Sequence, residues 1–246
     1  METILKSLKT SRQALLPQIR ILENHFLVTG SDDAYELTAL GELLIHEILH
    51  LLGTIEVFDG DTDYWGSHNL DFIPPHLLER IRELGKCKEV NLTLTESYQL
   101  NQETVETTFM SRSFFVITSF FHPNYPNVFP EMAQRGVKLY IIASRHVLDI
   151  MRTQHHAVFE GLIKNGSLDL FVYPDDMGFQ VIAYNDYRLL LRLLTNEGEI
   201  DINHMICSNP GALEWAQELF EHYLKDSTPV TDLNLKRETE NLYSKV

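Results

Sequence analysis

The sequence predicts a mixed α/β protein in two parts, a small helix-and-hairpin unit followed by a larger domain whose strands are covered by helices on both faces. Three observations predict it. Apolar residues recur at helical spacing through residues 11–58, short strand-like runs alternate with helices from about residue 110, and 246 residues exceed the usual length of one domain. With 44% hydrophobic and 22% charged residues, the composition excludes the disordered and collagen-like classes. The longest apolar stretches, Leu43-Leu-Ile45 and Phe114–Phe121, are interrupted or short, and the N-terminus has no apolar signal core. The expectation is a cytoplasmic protein with no membrane span. Cys87 and Cys207 stand far apart in unlike contexts, which predicts two small buried side chains, no disulfide framework and no four-ligand zinc site.

Residues 2–8 read as a short helix, and Ser11 reads as the N-cap of a second that runs to about Asn24. On that second helix Leu15, Ile19 and Leu22 recur at i, i+4 and i+7 and define a buried stripe. The opposite side carries Gln13, Pro17 and Arg20, flanked by Leu16, with Ser11 and Arg12 at the N-terminal tip. Phe26–Thr29 and Ala34–Leu37 follow as two strands of a hairpin around the four-residue turn Gly30-Ser-Asp-Asp33. Thr38 then caps a long helix to about Phe58, apolar at Leu40, Leu44, Ile48, Leu51, Leu52 and Ile55 and widened by Leu43, Ile45 and Leu49. Such a helix must pack on more than one side, and a second copy of the chain is one candidate to cover it.

The net charge of −15 argues against a surface that embraces nucleic acid everywhere, because neutralising phosphates needs Lys and Arg. The first 20 residues are the exception, with Lys6, Lys9, Arg12 and Arg20 against the single acid Glu2. A basic patch on an acidic body suits a DNA reader, and equally a solvated charged face on an ordinary helix.

Helix, turn, helix, two-stranded wing, helix is the order of a winged helix-turn-helix. Beside that order stand the runs Ser11-Arg-Gln-Ala-Leu-Leu-Pro-Gln-Ile-Arg-Ile-Leu-Glu23, Tyr35-Glu-Leu-Thr-Ala-Leu-Gly41 and Asp63-Tyr-Trp-Gly-Ser-His-Asn69. Ile73-Pro-Pro-His-Leu-Leu-Glu-Arg-Ile-Arg-Glu-Leu-Gly85 and Phe120-Phe-His-Pro-Asn-Tyr-Pro126 complete the set. In these residues the chain resembles the methanogenesis-regulator group of archaeal winged-helix transcription factors, from residue 2 to about residue 225. The resemblance implies binding of double-stranded DNA. It also implies a further helix ahead of residues 2–8, so the winged helix-turn-helix is expected to be partial, lacking its first helix.

Asp59–Asn69 reads as a polar loop, Pro74-Pro75 opens a short helix to Leu84 closed by Gly85, and the domain boundary is expected between residues 60 and 90. Beyond it, Phe114–Ser119 reads as a buried strand, Asn127–Arg135 as a helix closed by Gly136, and Val137–Ala143 as a second strand. One helix is expected over Val147–Lys164, strands at Leu168–Tyr173, Phe179–Tyr184 and Leu189–Leu194, and a last helix, containing Trp215, over Pro210–Tyr223. That order implies a sheet with parallel strands, and it more loosely resembles the phospholipase-D-like sensor domains of archaeal regulators. The expected division is a partial winged helix with linker helix over 1–60, a connecting segment with a short helix over 61–100, an α/β effector or sensor domain over 101–225, and a polar, frayed tail over 226–246.

His46-Glu-Ile-Leu-His50 fits the H-E-x-x-H pattern of zinc peptidases. No third ligand comes with a recognisable motif, though Asp61, Asp63 and His68 lie downstream, and the two His share a polar helix edge with Glu42 and Glu56. The reading is therefore no metal and no cofactor. A phospholipase-D mechanism needs a Lys two residues after its His, but His122 is followed by Pro-Asn and His204 by Met-Ile, and no other catalytic set assembles. No residue is assigned a catalytic role. His155 and His156 are adjacent on a helix, about 100° apart, and are poorly placed to share one metal. Open α/β sheets hold ligands at strand ends, which singles out Ser119, His122, Tyr125, Ser144 and Arg145 for a small-molecule effector. The leading expectation is thus a homodimeric DNA-binding regulator with an effector-sensing domain. A sensor that does not bind DNA and a zinc hydrolase are its rivals.

Overall fold

The computed structural model describes residues 1–31, 34–93, 95–96 and 99–234. The chain divides into two compact units, with the boundary between Ile55 and Glu56.

The first unit begins with α1 (Glu2–Leu8) and α2 (Arg12–Asn24), separated by Lys9 in the left-handed conformation. Ser11 caps α2 as its residue type predicts, its Oγ accepting from the Ala14 amide at 3.3 Å. The hairpin strands are β1 (Val28–Ser31) and β2 (Ala34–Leu37), paired antiparallel with Ser31 opposite Ala34. Gly30 and Ser31 therefore belong to the strand, not to a four-residue turn, and Asp32 and Asp33 lie outside the described residues. Phe26, expected to start the first strand, has φ 60° and turns the chain out of α2 instead. The long helix α3 (Ala39–Asp59) starts under Thr38, whose Oγ1 accepts from the Gly41 amide at 3.1 Å and donates to the Phe26 carbonyl at 2.6 Å. Gly41 is required there: a Cβ at that position would collide with the Leu27 carbonyl oxygen.

The second unit is built on an eight-stranded sheet of order β10-β6-β5-β4-β7-β8-β9-β3. The strands are β3 (Lys88–Val90), β4 (Ser113–Thr118), β5 (Lys138–Ser144), β6 (Leu168–Tyr173), β7 (Phe179–Tyr184), β8 (Leu189–Leu193), β9 (His204–Cys207) and β10 (Thr228–Val230). The expected parallel strands are β4, β5 and β6, and the other described pairings of the sheet are antiparallel, so the sheet is mixed. The reason lies in the connections. β4 reaches β5 through α7 (Tyr125–Gln134), and β5 reaches β6 through α8 (Arg145–Gln154) and α9 (His156–Lys164), whereas β7 and β8 are joined by a connection too short for a crossover.

Strand alternation gives the sheet two apolar faces. Leu139 and Ile141 join Phe129, Met151 and Phe159 on one, while Ile142, Leu189 and Leu191 join Trp215 and Leu77 on the other. The second face is closed by α10 (Pro210–Lys225), α4 (Thr62–Ser67) and α5 (Pro75–Leu78). Three expectations change here. Asp59–Asn69 is not only a loop, since α4 buries Tyr64 and Trp65, and the part of the expected connector from Tyr64 to Cys87 contributes side chains to the core. The helix over 147–164 is two helices, interrupted at His155 with φ −133°. The tail over 226–246 begins with β10, which adds an antiparallel strand to β6, and residues 235–246 lie outside the described residues.

Cys87 and Cys207 are buried as expected, but they pair as a disulfide, contrary to the expectation of none. Antiparallel pairing of β3 with β9 sets Lys88 opposite Ile206, which brings the residues just before and after them together across 120 positions of sequence. Spacing in the sequence carries no trace of that register.

Candidate functional site

In the first unit, α2 presents Arg12, Gln13, Pro17 and Arg20 to solvent, with Ser11 at its tip and Leu16 half-buried. The side facing away holds Ile19, buried, and Leu15, half-buried, but Leu22 is exposed, so the predicted stripe is covered over only part of its length. On α3 the side-chain ligand atoms of His46, Glu47 and His50 lie within 4.8 Å of one another, with the two imidazole centroids 4.1 Å apart. Two of the three downstream residues considered as further ligands have other engagements. His68 is buried, its Nδ1 2.6 Å from the Tyr64 carbonyl and its Nε2 3.2 Å from the Asp201 carboxylate, and Asp61 caps α4 by accepting from the Tyr64 amide at 2.8 Å.

The second unit contains a cavity on the sheet face formed by β4, β7, β8 and β9, roofed by α6 (Gln102–Phe109), α7 and the loop between β4 and α7. It holds about 70 Å³ of space for the centres of water-sized molecules, within a wider recess that is partly open to solvent. Its wall is built by the two-residue period of the strands: Leu189, Leu191 and Leu193 of β8 turn to the opposite core, which leaves Leu190 and Arg192 on the cavity side. Phe114, Val116, Val181 and Ala183 continue the wall on β4 and β7.

Arg192 is the one cation among the described lining residues, and no Asp or Glu is among them. Its Nε donates to the Asp201 carbonyl at 3.2 Å, and its guanidinium carbon lies 5.7 Å from the Phe120 ring centre. Burial pushes its pKa below the ordinary arginine value, and the nearby Tyr125 and Asp201 oppose that shift. Asp201 gives its carboxylate to His68. His204, also on the wall, has its Nε2 3.2 Å from Asn101 Nδ2, and burial first, then the Arg192 charge, pushes its pKa down to about 4. The imidazole is neutral at pH 7, with Nε2 placed to accept from the amide. Burial likewise pushes the Tyr125 hydroxyl up to about 12, against the effect of its hydrogen bond with Thr118. The cavity therefore offers one desolvated positive charge among neutral polar groups and apolar walls. That is equipment for binding.

Of the five residues singled out for a ligand, His122 and Tyr125 line this cavity. Ser119 Oγ instead donates to the Phe179 carbonyl, Ser144 caps α8 by accepting from the Val147 amide at 3.3 Å, and Arg145 is exposed in the first turn of that helix. The structure brings in Arg192 and Asn101, which the sequence reading passed over, and His204, which it weighed only as a phospholipase-D histidine. A signal existed for the first: Arg192 is the single charge in Leu189-Leu-Leu-Arg-Leu-Leu194, an otherwise apolar strand.

Residues 97–226, just over half of the chain, match the family model described as the methanogenesis regulatory protein FilR1, middle domain. The methanogenesis regulatory protein FilR1 of Methanothrix harundinacea (strain 6Ac) is 24% identical over 229 residues, which are 91% of this chain and 51% of the relative. The chain thus spans about half the length of the curated relative it matches. Among solved structures, the archaeal chromatin protein TrmBL2, described as showing a novel mode of DNA binding, aligns with a TM-score of 0.45 at 15% identity, over 86% of this chain and 80% of its own. The phospholipase D family member Nuc of Salmonella typhimurium aligns with a TM-score of 0.39 at 14% identity, over 52% of this chain and 88% of its own. At those scores the fold assignment rests on the topology of the chain itself.

Proposed function

This chain belongs to the family of the methanogenesis regulatory protein FilR1, middle domain, and from that premise we propose that it is a DNA-binding transcriptional regulator with an effector-sensing α/β domain. The family match carries the reading, and two features of the chain support it. Ser11, Arg12, Gln13, Leu16, Pro17 and Arg20 form the side of α2 that would enter the major groove, with the hairpin β1–β2 beside the backbone. The cavity of the second unit is chemically a binding pocket, which gives an effector a place to act. A second copy of the chain fits the reading as well, because α3 leaves large apolar side chains such as Leu43 and Leu51 exposed along its length. Work in the cytoplasm belongs to the same proposal, and among the described residues no helix is long and apolar enough to cross a membrane.

The test is a mobility-shift assay on the DNA upstream of the chain's own gene. Gln13→Ala and Arg20→Ala should each weaken binding by about 1–3 kcal/mol, Gln through a lost adenine contact and Arg through a lost guanine or phosphate contact, without disturbing the fold. Unchanged affinity in both variants would move the reading surface off α2.

A further inference from the structure

We infer that the cavity of the second unit takes a small amphipathic carboxylate, its carboxylate group held by Arg192 and its apolar body lying against β4, β7 and α7. The inference rests on the effector-sensing reading and names the chemical class of effector. Strand β8 places a guanidinium against an apolar wall, where desolvating a cation is costly unless something compensates. Among the described residues the compensation inside the protein is small. It consists of one hydrogen bond from Nε to a backbone carbonyl and a ring at 5.7 Å, and the neighbouring carboxylate of Asp201 is turned to His68 at 3.2 Å. The Nη1 and Nη2 donors carry a rigid planar fork that matches a carboxylate.

The other polar groups set the ligand's charge. His204 stays neutral at pH 7 because its pKa is pushed down to about 4, and Tyr125 keeps its proton because its own is pushed up to about 12. The positive charge of Arg192 is matched by the single negative charge of a carboxylate, whereas a phosphate dianion would bring an excess charge among apolar walls. The size of the body follows from the walls: Val116, Val181, Leu190, Phe129 and Met132 are contact surface for carbon, and a bare small anion would leave them unfilled.

The test uses the full chain in thermal-shift measurements with acetate, butanoate, hexanoate and octanoate, beside hexanamide, octanamide and inorganic phosphate. Hexanoate or octanoate at a hundredfold excess over its dissociation constant should raise Tm by about 5–10 °C, with acetate, the amides and phosphate giving much less. Arg192→Met should abolish the shift while leaving the Tm of the ligand-free variant equal to or above that of the parent, and Arg192→Lys should keep part of the shift. Equal shifts with the amides would mean an apolar pocket without anion recognition, and a shift with inorganic phosphate alone would mean a phosphate site. Either result overturns the proposal, as does a carboxylate shift that survives Arg192→Met, a lowered Tm of ligand-free Arg192→Met, or no shift with any of the series. The mobility-shift assay reads the regulator proposal separately. Loss of DNA binding with carboxylate recognition intact sinks that reading and leaves this one standing.

Discussion

Residues 1–55 and the unit that follows them stabilise themselves by different means. In the first, Ile19 is the one large apolar side chain among the described residues that is buried, and order is set by local devices: the Ser11 cap, the β1–β2 hairpin, and Thr38 tied to both Phe26 and Gly41. In the second, a sheet is sandwiched between two apolar layers in which Trp215, Phe129 and Phe159 are fully buried. Local hydrogen bonds hold a shape but add little net stability, while burial scales with the area removed from water. The second unit has a core of its own. The first has exposed leucines along α3 that would contribute only when something covers them.

The largest test of this contrast is Trp215→Ala. The indole is fully buried and its Nε1 donates to the Leu77 carbonyl at 2.9 Å, fastening α10 to α5. Truncation opens a cavity and orphans that carbonyl, so urea denaturation should report a loss of about 3–5 kcal/mol. Ile19→Ala should cost less than about 2 kcal/mol, because the helix around it is exposed and little packing remains to be lost. Equal losses would erase the contrast.

The same difference decides what the sequence could reveal. Leu168–Tyr173 and Phe179–Tyr184 were legible with their full bounds, since each is a run of apolar residues interrupted once, by Asp169 or Gln180, and set off by a glycine at 166 or 178. Gly136 was legible as a helix stop and has φ 87° there, a conformation that costs glycine little. The strands β3, β9 and β10 were not, being three or four residues long and defined by the partners they reach across the sheet. The site was half legible for a related reason. His122 and Tyr125 follow a strand end, where ligands are expected, but Arg192 and His204 sit inside strands, and only the pairing of β8 with β9 gathers them on one face. Ser144 marked a true feature, a helix cap, and the sequence alone does not separate capping from binding.

A pH titration sharpens the comparison at intermediate size. His204 is buried and its folded pKa, about 4, lies below the ordinary 6.5. Between those values the unfolded chain holds a proton that the folded chain excludes, so stability rises with pH across the window and is lost as pH falls from 6.5 to 4. The loss from this group should approach about 3 kcal/mol, and His204→Gln, which keeps an acceptor for Asn101, should flatten that part of the curve. The change should appear in the unfolding of the second unit. A curve of the same slope in parent and variant would assign the acid sensitivity to other groups, of which His222, also lowered by burial, is the first to examine.

The smallest effect falls in the first unit, at Phe26. The side chain is 77% exposed while its backbone has φ 60°, so it occupies the left-handed region with little burial to offset the strain. The geometry is imposed from both sides: the Phe26 amide donates to the Glu23 carbonyl at 2.9 Å, and the Phe26 carbonyl accepts from Thr38, while Gly41 lies against the next carbonyl in the chain. A left-handed residue with a Cβ costs roughly 1–2 kcal/mol, and glycine returns part of that gain through the greater freedom of the unfolded chain. Phe26→Gly should therefore raise stability by up to about 1 kcal/mol, read as a shift of a few degrees in the melting of the chain. The sign is what matters. A loss would mean that the ring is covered in solution, and with it that the first unit draws its missing core from a second surface, closing the gap between the two units.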